Sequence, residues 1–184
     1  MKNFVLKAST AFMVSVAVWG VAHAQQSGSI SVGGTISPVT CKLTTSDLSK
    51  SIDMGIINPT SLQSVGSTST QKPFTLTLEG CSTPGNGHPS RASVKFSGAN
   101  INASTSNLNL IGAGTQGVAS GLQARILNGN GNKVLLAAAD QQVTPLDLVA
   151  GVNVMRFATD YIVMSTPVNP GKADTAVNFE ITYP

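Results

Sequence analysis

The sequence predicts an all-β sandwich or barrel, and three observations carry that prediction. Short runs rich in Val, Ile, Leu and Thr alternate apolar with polar residues at a period of two. Clusters of Gly, Asn, Ser and Pro separate the runs at intervals of about 8–15 residues, the rhythm of a sandwich or barrel. Long helical periodicity is absent.

In chain order, residues 1–24 are set aside first. Lys2 and Lys7 give a positive start, residues 8–22 form an apolar run, and Ala22-His23-Ala24 supplies a small-x-small cleavage pattern. Together they predict a secretory signal peptide, removed after Ala24. The alternative, a membrane anchor, is opposed by the length of the run, which falls short of the roughly 20 residues needed to span. It is also opposed by the polar residues that follow from Gln25 without a basic cluster. Removing 24 of the 184 residues leaves 160, the size of one domain.

Residues 28–36 place Ile30, Val32, Gly34 and Ile36 on one face and Ser29, Ser31, Gly33 and Thr35 on the other, an amphipathic strand. For a secreted β domain the default is that such a strand pairs within its own sandwich. In residues 74–81, Phe74, Leu76 and Leu78 alternate with Thr75, Thr77 and Glu79. Val94 and Phe96 mark the next strand. Residues 98–120 are polar and predict a surface loop with a short strand in it. Leu122, Ala124 and Ile126, an Asn-Gly-rich turn, then Val134 and Leu136 give the clearest hairpin signal. Residues 135–150 leave room for a short turn of helix, limited by Pro145. Residues 152–164 alternate Val152 and Val154 and then resume at Phe157, a phase break that predicts a bulge. Last, Val177, Phe179, Ile181 and Tyr183 alternate along a strand at the end of the chain. Chain ends are usually poor places for a core-grade strand, so its packing partner is the question it raises.

Composition excludes several functions. Two of the eleven Lys and Arg lie in the signal, so nine face eight acids in the exported part, a nearly neutral chain. Its charges are spread singly, without a basic stripe, which argues against nucleic acid. Cys41 and Cys81, an even pair in an oxidising compartment, predict one disulfide that closes a long loop. Such closure is worth about 4 kcal/mol on a chain-entropy estimate.

Catalytic constellations are scarce. His88 is the one histidine of the exported part and sits among turn residues, where a solvated loop histidine is the simpler reading. The acids are scattered, with neither a paired-carboxylate motif nor a calcium loop. Residues 112–117 match G-x-G-x-x-G letter for letter, yet a turn and a strand follow where a dinucleotide site needs a helix. Asn102-Ala103-Ser104 matches a glycosylation acceptor. The sequence predicts no enzyme, no metal and no cofactor.

The spacing G-x-I-x-V-x-G-x-I-x-x-x-x-C from Gly28 to Cys41 resembles the N-terminal donor segment of chaperone–usher fimbrial subunits, the type 1 pilin-like proteins of Gram-negative bacteria. Gly171 at the fourteenth position from the end, the alternation Val177, Phe179, Ile181 and the penultimate Tyr183 resemble the C-terminal motif of that family. The resemblance implies an incomplete immunoglobulin-like β-sandwich that lacks its final strand. It implies three segments: a signal peptide over 1–24, a donor-strand extension over 25–37 and a pilin domain over 38–184.

By the same resemblance, Ile30, Val32, Gly34 and Ile36 form the donor strand. Gly171, Val177, Phe179, Ile181 and Tyr183 belong to an acceptor groove along the C-terminal strand. The implied partners are a periplasmic pilus chaperone, an outer-membrane usher, other fimbrial subunits in a head-to-tail polymer and, through the assembled fibre, a host receptor. The expectation is a structural subunit of a surface fimbria. The alternative from another class is a minor adaptor or tip subunit that binds a receptor. A tip adhesin usually carries an extra receptor-binding domain, for which 160 residues leave no room. A self-contained sandwich whose N-terminal strand folds back on itself is a third reading.

Overall fold

In the computed structural model the chain divides into two units, Met1–Ile36 and Ser37–Pro184. The described residues are 41–85, 87–141, 143 and 145–183, all in the second unit. The expected signal and the donor residues Ile30, Val32, Gly34 and Ile36 lie outside them.

Among the described residues there are seven strands: β1 (Lys42–Leu43), β2 (Lys72–Cys81), β3 (Arg91–Ser97), β4 (Leu122–Asn128), β5 (Leu146–Asp147), β6 (Gly151–Val163) and β7 (Asn178–Thr182). The only helices among the described residues are single 3-10 turns at Thr45–Asp47 and Pro59–Ser61. The strands form two antiparallel sheets, one ordered β1-β2-β6-β4 and the other β5-β3-β7. The alternation of the sequence predicts the sandwich, and its form is that of the incomplete immunoglobulin-like fold the resemblance implies.

Apolar alternation fixes which face of each strand is inside, because successive side chains point to opposite faces. Leu76 and Leu78 of β2, Met155, Phe157 and Tyr161 of β6, and Ala124 and Ile126 of β4 meet Ala92, Val94 and Phe96 of β3 in one core cluster. Phe157 links the layers, stacked on Phe74 at 5.5 Å and edge-on to Phe96 at 5.6 Å. Cys41 and Cys81 are joined in a disulfide, as expected, which ties the start of β1 to the end of β2.

Four local expectations change. First, β6 has no phase break: it pairs with β2 without interruption from Thr159↔Lys72 to Asn153↔Leu78. Its inward phase is Asn153, Met155, Phe157, Tyr161 and Val163, and Val152 lies on the outer face, 62 % exposed. Asn153 hides the pattern: it is a polar residue at an inward position, where its amide bonds both the N–H and the C=O of Val149. The irregularity falls instead in β2, between Leu78 and Cys81.

Second, the hairpin after β4 closes with only an isolated bridge, Leu127↔Lys133, and no second strand. The Asn128 side chain accepts from the Asn130 and Asn132 amides and turns the chain, and Val134 and Leu136 then fill the core. Third, residues 98–120 are not merely a surface loop, since Asn107, Leu108, Leu110 and Ala119 are all buried. Leu108 bonds Ala124 in both directions, at 2.8 and 2.9 Å, and so covers the free side of β4. Fourth, residues 135–150 form no helix among those described, but a turn (Ala138 N–H to Leu135 C=O, 2.9 Å) leading to β5.

Candidate functional site: an unpaired strand edge over an apolar groove

β7 ends its sheet. It pairs with β3 through Asn178↔Ser97, Phe179↔Phe96, Glu180↔Lys95, Ile181↔Val94 and Thr182↔Ser93, and no described strand lies on its other side. In an antiparallel ladder, successive residues turn their N–H and C=O groups alternately to one neighbour and to the other. The Phe96 N–H donates to Gln141 Oε1 at 2.8 Å and the Phe96 C=O accepts from Gln141 Nε2 at 2.7 Å. Phe96 therefore spends both groups on the side away from β7. Phe96↔Phe179 is then a non-hydrogen-bonded pair, and the backbone groups of Phe179, with those of Ile181 two residues on, face the unpaired edge. Their side chains share the core-facing side with Phe96 and Val94.

Burial separates this strand from the rest of the sandwich. Most inward residues of β2, β3 and β6 are closed off, with Leu78 at 0 %, Val94 at 3 % and Phe157 at 5 % exposure. Ala173, Thr175, Val177, Phe179 and Ile181 alternate with exposed residues as inward residues should, but every one is only half-buried. Beneath them runs a groove of about 1420 Å³. Phe74, Leu76, Ile126 and Tyr161 line its floor, Val177, Phe179 and Ile181 one wall, and Met54 and Ile57 the other. Ile56, beside that second wall, is fully exposed. Such an edge is a ready template for another strand.

Each expected acceptor residue has a physical place. Gly171 lines the groove and lets the chain press on residues 117–119: a Cβ there would lie 2.5 Å from both Ala119 N and Val118 C. That contact carries Lys172 N–H to Gly117 C=O and Ala119 N–H to Lys172 C=O, both at 2.8 Å. Val177, Phe179 and Ile181 form the wall described above. Tyr183 does not line the groove; its hydroxyl donates to the Cys41 C=O at 3.4 Å, and burial pushes its pKa up. Tyr161 was not among the expected site residues. It floors the groove and donates its hydroxyl to the Ala173 C=O, and burial, then the Asp174 charge, raises its pKa. Within the sequence, its place in the inward phase of β6 was the available signal.

Among the described residues no catalytic constellation is brought together. His88 is held in a tight turn by reciprocal backbone bonds with Gly85, at 3.0 and 3.3 Å. Residues 112–117 form successive turns, with Gly112, Gly114 and Gly117 at positive φ and no helix after them. Asn102 uses its side-chain oxygen to accept from the Ser104 and Thr105 amides. No group of three or more metal-ligating side chains occurs among the described residues. No described helix is long and apolar enough to cross a membrane.

Comparison with known proteins gives this geometry a context. The family described as "Fimbrial protein" matches residues 30–184. Long polar fimbria protein A of Salmonella typhimurium is 26 % identical over 184 residues, which is 100 % of this chain and 97 % of that protein. Among solved structures, the P pilus rod subunit PapA superposes with a TM-score of 0.62 at 21 % identity, over 79 % of this chain and 99 % of that one. The CupB6 tip adhesin of Pseudomonas aeruginosa also gives 0.62, at 20 % identity, over 80 % of this chain but only 39 % of that one.

Proposed function

This chain belongs to the fimbrial protein family, and on that premise we propose that it is a structural subunit that polymerises head to tail into a cell-surface fibre. Residues 28–36 of one copy add as a strand to the β7 edge of another. Ile30, Val32 and Ile36 enter the groove, and Gly34 passes over a shallow point. The one observation that carries this reading is the unpaired edge of β7 above the apolar groove. An exposed edge demands a strand, and residues 28–36 of the same sequence carry the apolar alternation such a strand requires. Strand addition supplies main-chain hydrogen bonds for affinity and alternate side chains for specificity.

Before assembly the open groove is an aggregation hazard, which a periplasmic chaperone covers by lending its own strand. An outer-membrane usher is where the donor of the next subunit replaces it. Residues 1–24 direct export and are removed. The fold itself occurs both in a rod subunit and within a larger tip adhesin. The chain carries a donor pattern as well as an acceptor groove and so can continue a polymer in both directions, which favours a structural subunit over a terminal tip adhesin.

Deleting residues 25–36 and co-expressing the rest with the matching periplasmic chaperone tests the proposal. The expected product is a soluble one-to-one complex that forms no fibres. A well-folded monomer of that deletion, stable without chaperone, overturns it.

A further inference from the structure

Among the described residues the two sheets present four outer edges, and three of them are covered, at least in part, in different ways. On β4, the backbones of Leu108 and Val134 do it: Leu108 bonds Ala124 in both directions, and Val134 N–H donates to Ile126 C=O at 2.8 Å. On β2, β1 covers Leu78 and Glu79, after which the Thr77 C=O accepts from Thr44 N–H. The Thr77 N–H then donates to the Asp47 carboxylate at 2.7 Å. On β3, the two-residue β5 covers only Arg91 and Ala92. Farther along, Gln141 stands in for a neighbouring strand.

Its geometry is specific. A primary amide offers an acceptor and a donor on one planar group, as a peptide unit does. Gln141 places both on Phe96, at 2.8 and 2.7 Å, and gives its remaining donor to the Leu136 C=O at 2.9 Å. The residue is 7 % exposed, so the amide is held in place and leaves no room for an incoming chain. Phe96 lies opposite Phe179, so the two sides of the same β3–β7 ribbon differ: one is occupied by a side chain and the other is free.

We propose that Gln141 is a specificity-determining residue for subunit assembly: by occupying the backbone of Phe96 it confines strand addition to β7. A β-edge does not by itself distinguish one incoming strand from another, since main-chain groups are common to all. A ribbon open on both sides would accept two donors and branch or aggregate. Gln141 restricts each subunit to one donor, which a linear fibre requires. The inference rests on the strand-addition reading above.

The test uses the purified full chain with an excess of a synthetic peptide of residues 28–37, followed by native mass spectrometry and site-resolved hydrogen exchange. Wild type should bind one peptide, with new protection at Phe179 and Ile181 and none at Phe96. Gln141→Met, which keeps the volume but removes the amide, should raise exchange at the Phe96 amide about tenfold, the scale of one lost hydrogen bond. The peptide-loaded variant should also bind a second peptide or self-associate. A variant that stays monomeric with one peptide overturns the proposal. Fresh protection at Phe96 in wild type under excess peptide does so too, and that result is available even if Gln141→Met fails to fold. If wild type binds no peptide at all, the strand-addition reading fails instead. In that case self-association of Gln141→Met beyond that of wild type, without peptide, supports the role of the amide, and equal self-association overturns it.

Discussion

β4 and β7 are both end strands, each amphipathic in sequence, yet their surroundings differ throughout. In β4, Ala124 and Ile126 are 2 % and 3 % exposed, and Leu108 and Val134 bond its free side. Even its outer face is built over: Arg125 holds the fully buried Asp160 with two bonds, at 2.8 and 2.6 Å. Gln123 lies there in an amide network with Asn107 and Asn109. In β7 no residue is buried, no described strand covers the edge, and the inward side chains look onto a groove. The difference teaches that local pattern creates a strand with a face to bury, while burial itself depends on what lies opposite. For β7, the subunit supplies no such element among its described residues.

The largest test of that contrast substitutes one inward side chain in each half. Leu78 is 0 % exposed within the core cluster, so Leu78→Ala should cost about 2–5 kcal/mol, the transfer and cavity terms together. Phe179 is larger but half-buried, and Phe179→Ala should cost the free subunit only about 1–2 kcal/mol. In the assembled fibre its cost should rise to the level of a buried aromatic, about 3–5 kcal/mol. Denaturant unfolding of subunit and fibre measures both. A Phe179→Ala subunit as damaged as Leu78→Ala would mean that the groove is closed in the free protein.

A smaller effect sets two edges against each other through pH. Burial raises the pKa of Asp47, but the Lys50 ammonium, the Thr77 amide and the Thr44 hydroxyl together outweigh it and hold the carboxyl below its ordinary 3.8. A carboxyl with a depressed folded pKa stabilises fully above the unfolded value and loses that contribution as the pH falls through the folded one. Below about pH 4 the β2 edge should therefore loosen, with exchange of the Thr77 amide, corrected for the intrinsic pH dependence, rising stepwise. The Phe179 amide, to which no described carboxylate is hydrogen-bonded, should show no such step. Asp47→Asn should remove the step at Thr77; a step that survives the substitution would assign it to another group.

How legible this was depends on whether a signal is periodic or singular. The strands at Phe74–Leu78, Val94–Phe96 and Val177–Ile181 stood out because their apolar alternation is unbroken. β6 gives a false phase break, since Val152 and Val154 alternate on the outside while Asn153 takes an inward place. The asparagine-rich stretch around Asn107 has a surface composition, yet Asn107 is buried, its amide nitrogen donating to Gln123 Oε1 while its own Oδ1 has no partner among the described residues. Asp47 and Gln141 gave no sequence signal, because a lone polar residue reveals nothing about which backbone it will bond. Gly171 was visible only through resemblance, and its reason, close approach to residues 117–119, is purely spatial.

The smallest expected effect compares two tyrosines, one in the closed half and one beside the open strand. The Tyr161 hydroxyl bonds the Ala173 C=O from a residue that is 7 % exposed, and so fixes the segment leading into β7. Tyr161→Phe leaves that half-buried acceptor without its donor and should cost about 0.5–1.5 kcal/mol. The Tyr183 hydroxyl reaches the Cys41 C=O at 3.4 Å, near the limit of a useful bond, and both residues are half-buried. Water can replace it there, so Tyr183→Phe should cost under about 0.5 kcal/mol and shift the unfolding midpoint by no more than about 2 °C. If the order were reversed, the end of β7 would be held more firmly than its approach. The free subunit would then be anchored at the very strand that is meant to stand open.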